Sequence, residues 1–196
     1  MQKSGGSYAR HLRGDIQNVT DLQKNHQELL AELENAALAY GRNPSEITLM
    51  AVSKTHPFAA MKELYSCGQM LFGENRVQEA EQKLPLLRPD GMNIHLIGHL
   101  QSNKAKKALE LFDGIDSVDS LMLAQKLETL ASKPVPILLE LKTAPEESKS
   151  GFENEDALFH ALDEIACFSK LKVQGLMTIG PLLGNEKEIR RSFSLL

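Results

Sequence analysis

Lys54, Asn75 and His99 are the side chains of this sequence whose types and placement could do chemistry, because each closes or directly follows a short apolar run: ITLMAVSK, MLFGEN and NIHLIGH. A lysine rising from packed apolar surroundings can be desolvated, which leaves free amine at neutral pH. That form condenses with an aldehyde to a Schiff base. The alternative is a strand-capping lysine reaching into solvent, and spacing alone favours it. His99, behind Gly98, could hydrogen-bond a ligand or move a proton, or be a satisfied structural histidine; His95, inside the same run, reads as packing. Asn75 offers an amide to a ring substituent, but capping a helix that starts at Arg76 is the default reading. The lysines of SNKAKK could dock an anion, with Ser102 as helix cap, yet a solvated helix face explains them better.

These residues need elements that bring them together. Apolar positions at helical spacing (Ile16, Val19, Leu22, Leu29, Leu30, Leu33) predict a long amphipathic helix from Asp15 to about Tyr40, stopped by Gly41. The Asn-Pro of GRNPSE marks a turn, and ITLMAVSK, followed by Pro57, reads as a strand buried on both faces. Helices at 58–67, 76–87, 103–112, 120–131, 154–166 and from Glu186 onward then alternate with strands MLFGEN, NIHLIGH, GIDSVDS, VPILLELKT and VQGLMTIG. Strict alternation with apolar strands implies a parallel sheet covered by helices. No G-x-G-x-x-G follows a strand, so a TIM-type (β/α)8 barrel is favoured over an open doubly wound sheet. Polar residues close nearly every strand (Ser53-Lys54, Glu74-Asn75, His99, Asp119, Lys142-Thr143, Thr178), and the C-terminal ends of barrel strands form the active-site face.

A barrel takes about 250 residues and eight strands. Six are legible in these 196 residues and the sequence ends inside a helix, so the last strands are expected to be missing from it. Residues 1–14, Gly/Ser-rich with scattered basic side chains, read as a flexible lead-in, and 15–196 as the incomplete barrel. A net charge of −4 opposes nucleic-acid binding, and the sequence has neither a bilayer-length apolar window nor a secretory h-region. Two cysteines, Cys67 and Cys167, in helical stretches and without metal-ligand spacing, read as core fillers in a reducing, cytoplasmic compartment.

The strings AVSKTHP, FGENRVQEA, IHLIGHLQSNKAK, EESKSGF and GLMTIGP, in this order and spacing, resemble the pyridoxal phosphate homeostasis proteins, also known as the YggS or PROSC family. The resemblance runs from about Asn43 to the last residue. It implies a fold-type III barrel like the N-terminal barrel of alanine racemase, with pyridoxal 5'-phosphate held as a Schiff base on Lys54 and with Asn75, His99 and Met177 lining its pocket. It implies cofactor storage or delivery without catalytic turnover, with apo-enzymes that use the cofactor as recipients. Two segments that cradle the cofactor phosphate in the family, similar to LSMGMS and GSTxVRIG, have no match here. A racemase-like enzyme is the alternative function, although such enzymes add a β-rich domain and a second acid/base. An interaction module that has lost the cofactor is the third reading.

Overall fold

The computed structural model describes residues 20–144 and 150–196, so the predicted lead-in and the start of the first helix lie outside it. The chain divides into two compact units, Met1–Ile47 and Thr48–Leu196. In the first, helix α1 spans Asp21–Ala39. Its start is a capping box: the Thr20 hydroxyl accepts from Gln23 N at 3.2 Å, and the Gln23 side chain accepts from Thr20 N at 3.3 Å. It stops where the sequence said it would. Gly41 takes φ +68°, and the N–H of Arg42 turns back to Ala37 O at 2.9 Å, closing the helix end. Asn43 then caps a single 3₁₀ turn over Pro44–Glu46.

The second unit alternates strand and helix throughout. Its strands are β1 (Ala51–Val52), β2 (Leu71–Glu74), β3 (Asn93–Leu96), β4 (Gly114–Val118), β5 (Val135–Glu140) and β6 (Leu171–Met177). Its helices are α2 (Phe58–Ser66), α3 (Val77–Lys83), α4 (Ala105–Leu111), α5 (Leu121–Leu130), α6 (Glu155–Ile165) and α7 (Glu186–Ser194). All six strands are parallel and lie in sequence order, β1 to β6. A doubly wound sheet would reverse that order near its middle; steady addition on one side is how a (β/α)8 barrel is laid down. The expected fold class therefore stands, as part of such a barrel.

Alternation along the strands separates two sheet faces. Phe72, Ile94, Leu96, Ile115, Ile137 and Leu139 point to the helices and are at most 1% exposed. There they meet Met61, Leu127 and Ile165, with small residues such as Ala80, Ala105 and Ala108 letting the helices lie close to the sheet. The opposite face carries Met50, Gly73 and Ile97: a Cβ built on Gly73 would stand 2.8 Å from Met50 Sδ and 3.0 Å from Ile97 Cδ1. His95 and Asp116 share this face, joined at 2.9 Å.

Several expectations need correction. The first strand is two residues long rather than eight and is not buried on both faces, since Val52 is 46% exposed. Among the described residues β1 pairs only with β2, so its outer edge and its inner face are left open. Ser102 caps no α-helix; it opens a 3₁₀ turn, and α4 begins behind Lys104 without a side-chain cap. Cys67 and Cys167 sit in turns just past α2 and α6, Cys167 exposed, because their thiols reach back to the carbonyls of Glu63 and Asp163 rather than into the core.

Candidate functional site

The C-terminal ends of the strands gather the polar groups. At β1 the ladder continues one residue beyond the strand, Ser53 N donating to Gly73 O at 2.9 Å. Ser53 itself is turned to the helix side, where its hydroxyl donates to the buried Glu74 carboxylate. Lys54 follows in the turn that closes this strand, at the C-terminal end of β1. Lys54 is exposed there, the solvent-reaching alternative that spacing alone favoured, because among the described residues β1 is an edge strand without a covering neighbour. Among the described residues its amine has no hydrogen-bond or ion-pair partner.

Asn75 follows Glu74 in a bend just past the end of β2. It does not cap α3: the cap position is Arg76, and no side chain bonds the first turn. The default reading of Asn75 is thus overturned, and its carboxamide forms no hydrogen bond among the described residues. Close approach of the next strand end brings His99 beside it. A Cβ on Gly98 would fall 2.3 Å from Asn75 O and 2.9 Å from Asn75 Cα, so only glycine fits between the two site residues.

His99 is 58% exposed at its side chain, with Nδ1 2.8 Å from Asp119 Oδ2 at the end of β4. Asp119 fixes the ring and leaves Nε2 facing outward, an arrangement suited to orienting a ligand or carrying a proton. Behind it lies Glu140, 3% exposed at the end of β5. Burial, and then the neighbouring Asp119 charge, push its carboxyl above the usual carboxylate range, against a hydrogen bond from Ser150 and the charges of His99 and Lys142. Met177 pairs with Glu140 across β5 and β6, so both project from the inner face, and Met177 is half-buried.

A second cluster lies at the ends of β5 and β6. The Thr143 hydroxyl meets those of Thr178 at 2.7 Å and Ser192 at 2.5 Å, beside an open cleft of about 900 Å³ lined among others by Lys142, Glu153, Arg191 and Leu195. Lys54, Asn75, His99 and Met177 do not line this cleft. The four predicted residues thus lie at the C-terminal ends of β1, β2, β3 and β6, and the cleft lies by the ends of β5 and β6. Sequence reading missed Glu140, which looked like part of an apolar strand, and Ser192, an unremarkable helix serine. The lysines of SNKAKK show no ligand geometry; Lys107 pairs with Glu81 and Glu110 on an exposed face.

The fit to an aldehyde cofactor can be judged from these groups. An accessible, uncommitted amine, a free carboxamide and an oriented imidazole lie at the C-terminal ends of β1, β2 and β3, and the Thr143 and Thr178 hydroxyls and the Arg191 guanidinium follow by the ends of β5 and β6. The donor set suits an aldehyde carrying polar ring substituents and an anionic group.

Comparison with known proteins points the same way. Residues 28–194 match the model of the alanine racemase N-terminal domain. A pyridoxal phosphate homeostasis protein of Pseudomonas aeruginosa is 37% identical over 166 residues, covering 82% of this chain and 71% of that protein. One from Helicobacter pylori is 37% identical over 181 residues, covering 89% and 80%. Among solved structures, PipY of Synechococcus elongatus without pyridoxal phosphate superposes with a TM-score of 0.73 at 40% identity, covering 83% of this chain and 77% of PipY. PipY with pyridoxal phosphate bound gives 0.63 at 36% identity, covering 85% and 81%. Alanine racemase of Clostridium difficile, at 13% identity and a TM-score of 0.67, covers 89% of this chain and 46% of the racemase, and shares the fold.

Proposed function

This chain belongs to the family of the alanine racemase N-terminal domain and, within it, to the pyridoxal phosphate homeostasis proteins, and on that premise we propose that it binds pyridoxal 5'-phosphate as a Schiff base on Lys54. The observation that carries this reading is the Lys54 amine itself: exposed, without a partner among the described residues, and at the strand ends where Asn75, His99 and Met177 also lie. The unprotonated amine adds to the aldehyde carbon, a C=N bond forms and water leaves. Asn75 supplies an amide for a ring substituent. His99, held by Asp119, presents its free ring nitrogen, and Met177 packs against the ring. PipY, 36% identical, has been solved with pyridoxal phosphate bound, which supports the ligand.

The role is storage and delivery without turnover, with apo-enzymes that require the cofactor as recipients, in the cytoplasm. The naming of the relatives supports the homeostatic role. Two unpaired cysteines fit a reducing compartment, and among the described residues no helix is long and apolar enough to cross a membrane.

Titration with pyridoxal phosphate tests the reading, followed by absorbance. Wild type is expected to develop a saturable visible band and Lys54→Ala to lose it while melting at the same temperature. A band that survives in Lys54→Ala would refute the assignment. Chirality-resolved analysis after incubation with L-alanine tests the absence of turnover, and rapid, Lys54-dependent formation of the D-isomer would overturn it.

A further inference from the structure

The residue after Lys54 is held in a costly conformation. Thr55 has φ +66°, and among the described residues it is the only non-glycine with positive φ. A β-branched residue adopts that region only where its surroundings impose it. The imposing group is Glu79 on α3, whose carboxylate accepts the N–H of Thr55. Glu79 Oε1 lies 3.9 Å from Lys83 Nζ, one turn further along the same helix. Lys83 is 10% exposed and donates to Ser53 O at 2.8 Å and to the fully buried Glu74 carboxylate. Glu74 in turn accepts from the Ser53 hydroxyl.

Lys54 is therefore bracketed on both sides by one ionic assembly. Ser53 is fixed at its carbonyl and its hydroxyl, and Thr55 at its amide. The assembly costs free energy of its own: Glu74 Oε2 is buried without a hydrogen-bond partner, and Thr55 is strained. Such costs persist where a position is over-determined, and here they fall on Thr55, next to the exposed lysine, and on Glu74, which holds its other neighbour Ser53.

We propose that Glu79, anchored through Lys83 and Glu74, is a positioning residue that holds the Ser53–Thr55 turn so that the Lys54 amine is presented at the strand end in one orientation. The proposal rests on the reading of Lys54 as the attachment point. It makes the brace, acting from the helix side, a determinant of how readily that lysine reacts with an aldehyde. Without it the turn relaxes toward ordinary backbone and the amine samples several directions.

Lys83→Met would strand the buried Glu74 charge and is a poor probe, because loss of folding would mask the effect. Glu79 is 29% exposed and gives a clean pair: Glu79→Ala removes the acceptor of the Thr55 N–H, whereas Glu79→Gln keeps one. Three readouts apply to the folded full chain: hydrogen exchange at the Thr55 amide, the acylation rate of Lys54 in the cofactor-free protein relative to exposed Lys126, and the dissociation constant for pyridoxal phosphate. Glu79→Ala is expected to speed Thr55 exchange by about tenfold or more, to change the Lys54/Lys126 labelling ratio, and to weaken cofactor binding by about tenfold. Glu79→Gln should stay within about twofold of wild type on all three. Unchanged labelling and affinity in Glu79→Ala would overturn the proposal. If wild type itself binds no pyridoxal phosphate, the proposed function fails, and the cofactor-free labelling ratio alone decides the brace.

Discussion

Gly98→Ala is the substitution whose effect the geometry defines best. The added Cβ would sit 2.3 Å from Asn75 O, 2.9 Å from its Cα and 3.0 Å from its C, where ordinary Cβ contacts begin near 3.4 Å. All three obstacles are backbone, so relief requires the ends of β2 and β3 to part by roughly 1 Å. Overpacking of this kind costs about 1–3 kcal/mol. For a unit of this size, about 2 kcal/mol lowers the melting temperature by roughly 4–8 °C. Because the displacement falls between Asn75 and His99, cofactor affinity should drop by about tenfold or more, as expected for misplaced polar groups. Gly180→Ala is the control: among the described residues its Cβ would meet only the Phe193 ring at 3.4 Å, and a change within about 0.5 kcal/mol is expected. Thermal unfolding and a cofactor titration of both variants provide the assay. A Gly98→Ala protein that melts and binds like wild type would refute the close approach as a determinant of the site.

Further outcomes follow from the electrostatics and the core. Burial opposes ionisation of Glu128, but hydrogen bonds from the N–H groups of Leu171, Ser169 and Lys170 and from the Ser169 hydroxyl outweigh it and hold the carboxyl at about 2. A lowered pKa contributes stability that is present above the unfolded value and lost as pH falls through the folded one; Glu128→Gln should therefore melt below wild type at pH 7, with the gap closing between about pH 4.5 and about 2. A gap that ignores pH would contradict this. Glu140 has the opposite sign: burial raises its carboxyl, its ionisation costs stability as pH rises past the unfolded value, and Glu140→Gln should melt above wild type at neutral pH and converge with it in acid. Leu96→Ala, at a site 0% exposed, should cost about 2–5 kcal/mol in denaturant unfolding, whereas Val52→Ala, 46% exposed on the open edge, should cost under about 1.

Patterns that repeat along the chain were legible in the sequence. Alternating apolar runs and helical periods predicted the sheet order, and Gly41 predicted the end of α1, because these signals are local and redundant. The length and burial of β1 were not legible: Val52 is apolar like the residues of a central strand, and only its place at the sheet edge leaves it exposed. Lys54, Asn75 and His99 were singled out because they close strands, and strand ends mark the active-site face of a barrel. Asn75 could not be separated from a helix cap without knowing that α3 starts behind Arg76. Glu79 and Lys83 escaped notice because, on a sequence, two charges four apart on a helix look like any solvated i, i+4 pair. What distinguishes them is the buried Glu74 carboxylate from β2, a tertiary contact that spacing does not encode.

The most direct measurement is borohydride reduction of the protein mixed with pyridoxal phosphate, followed by peptide mapping. One stable adduct on the peptide carrying Lys54, at one equivalent per chain, is the predicted result. Adducts spread over exposed lysines such as Lys126 with none enriched at Lys54, in a protein shown to be folded, would contradict the assignment of this strand end as the cofactor site.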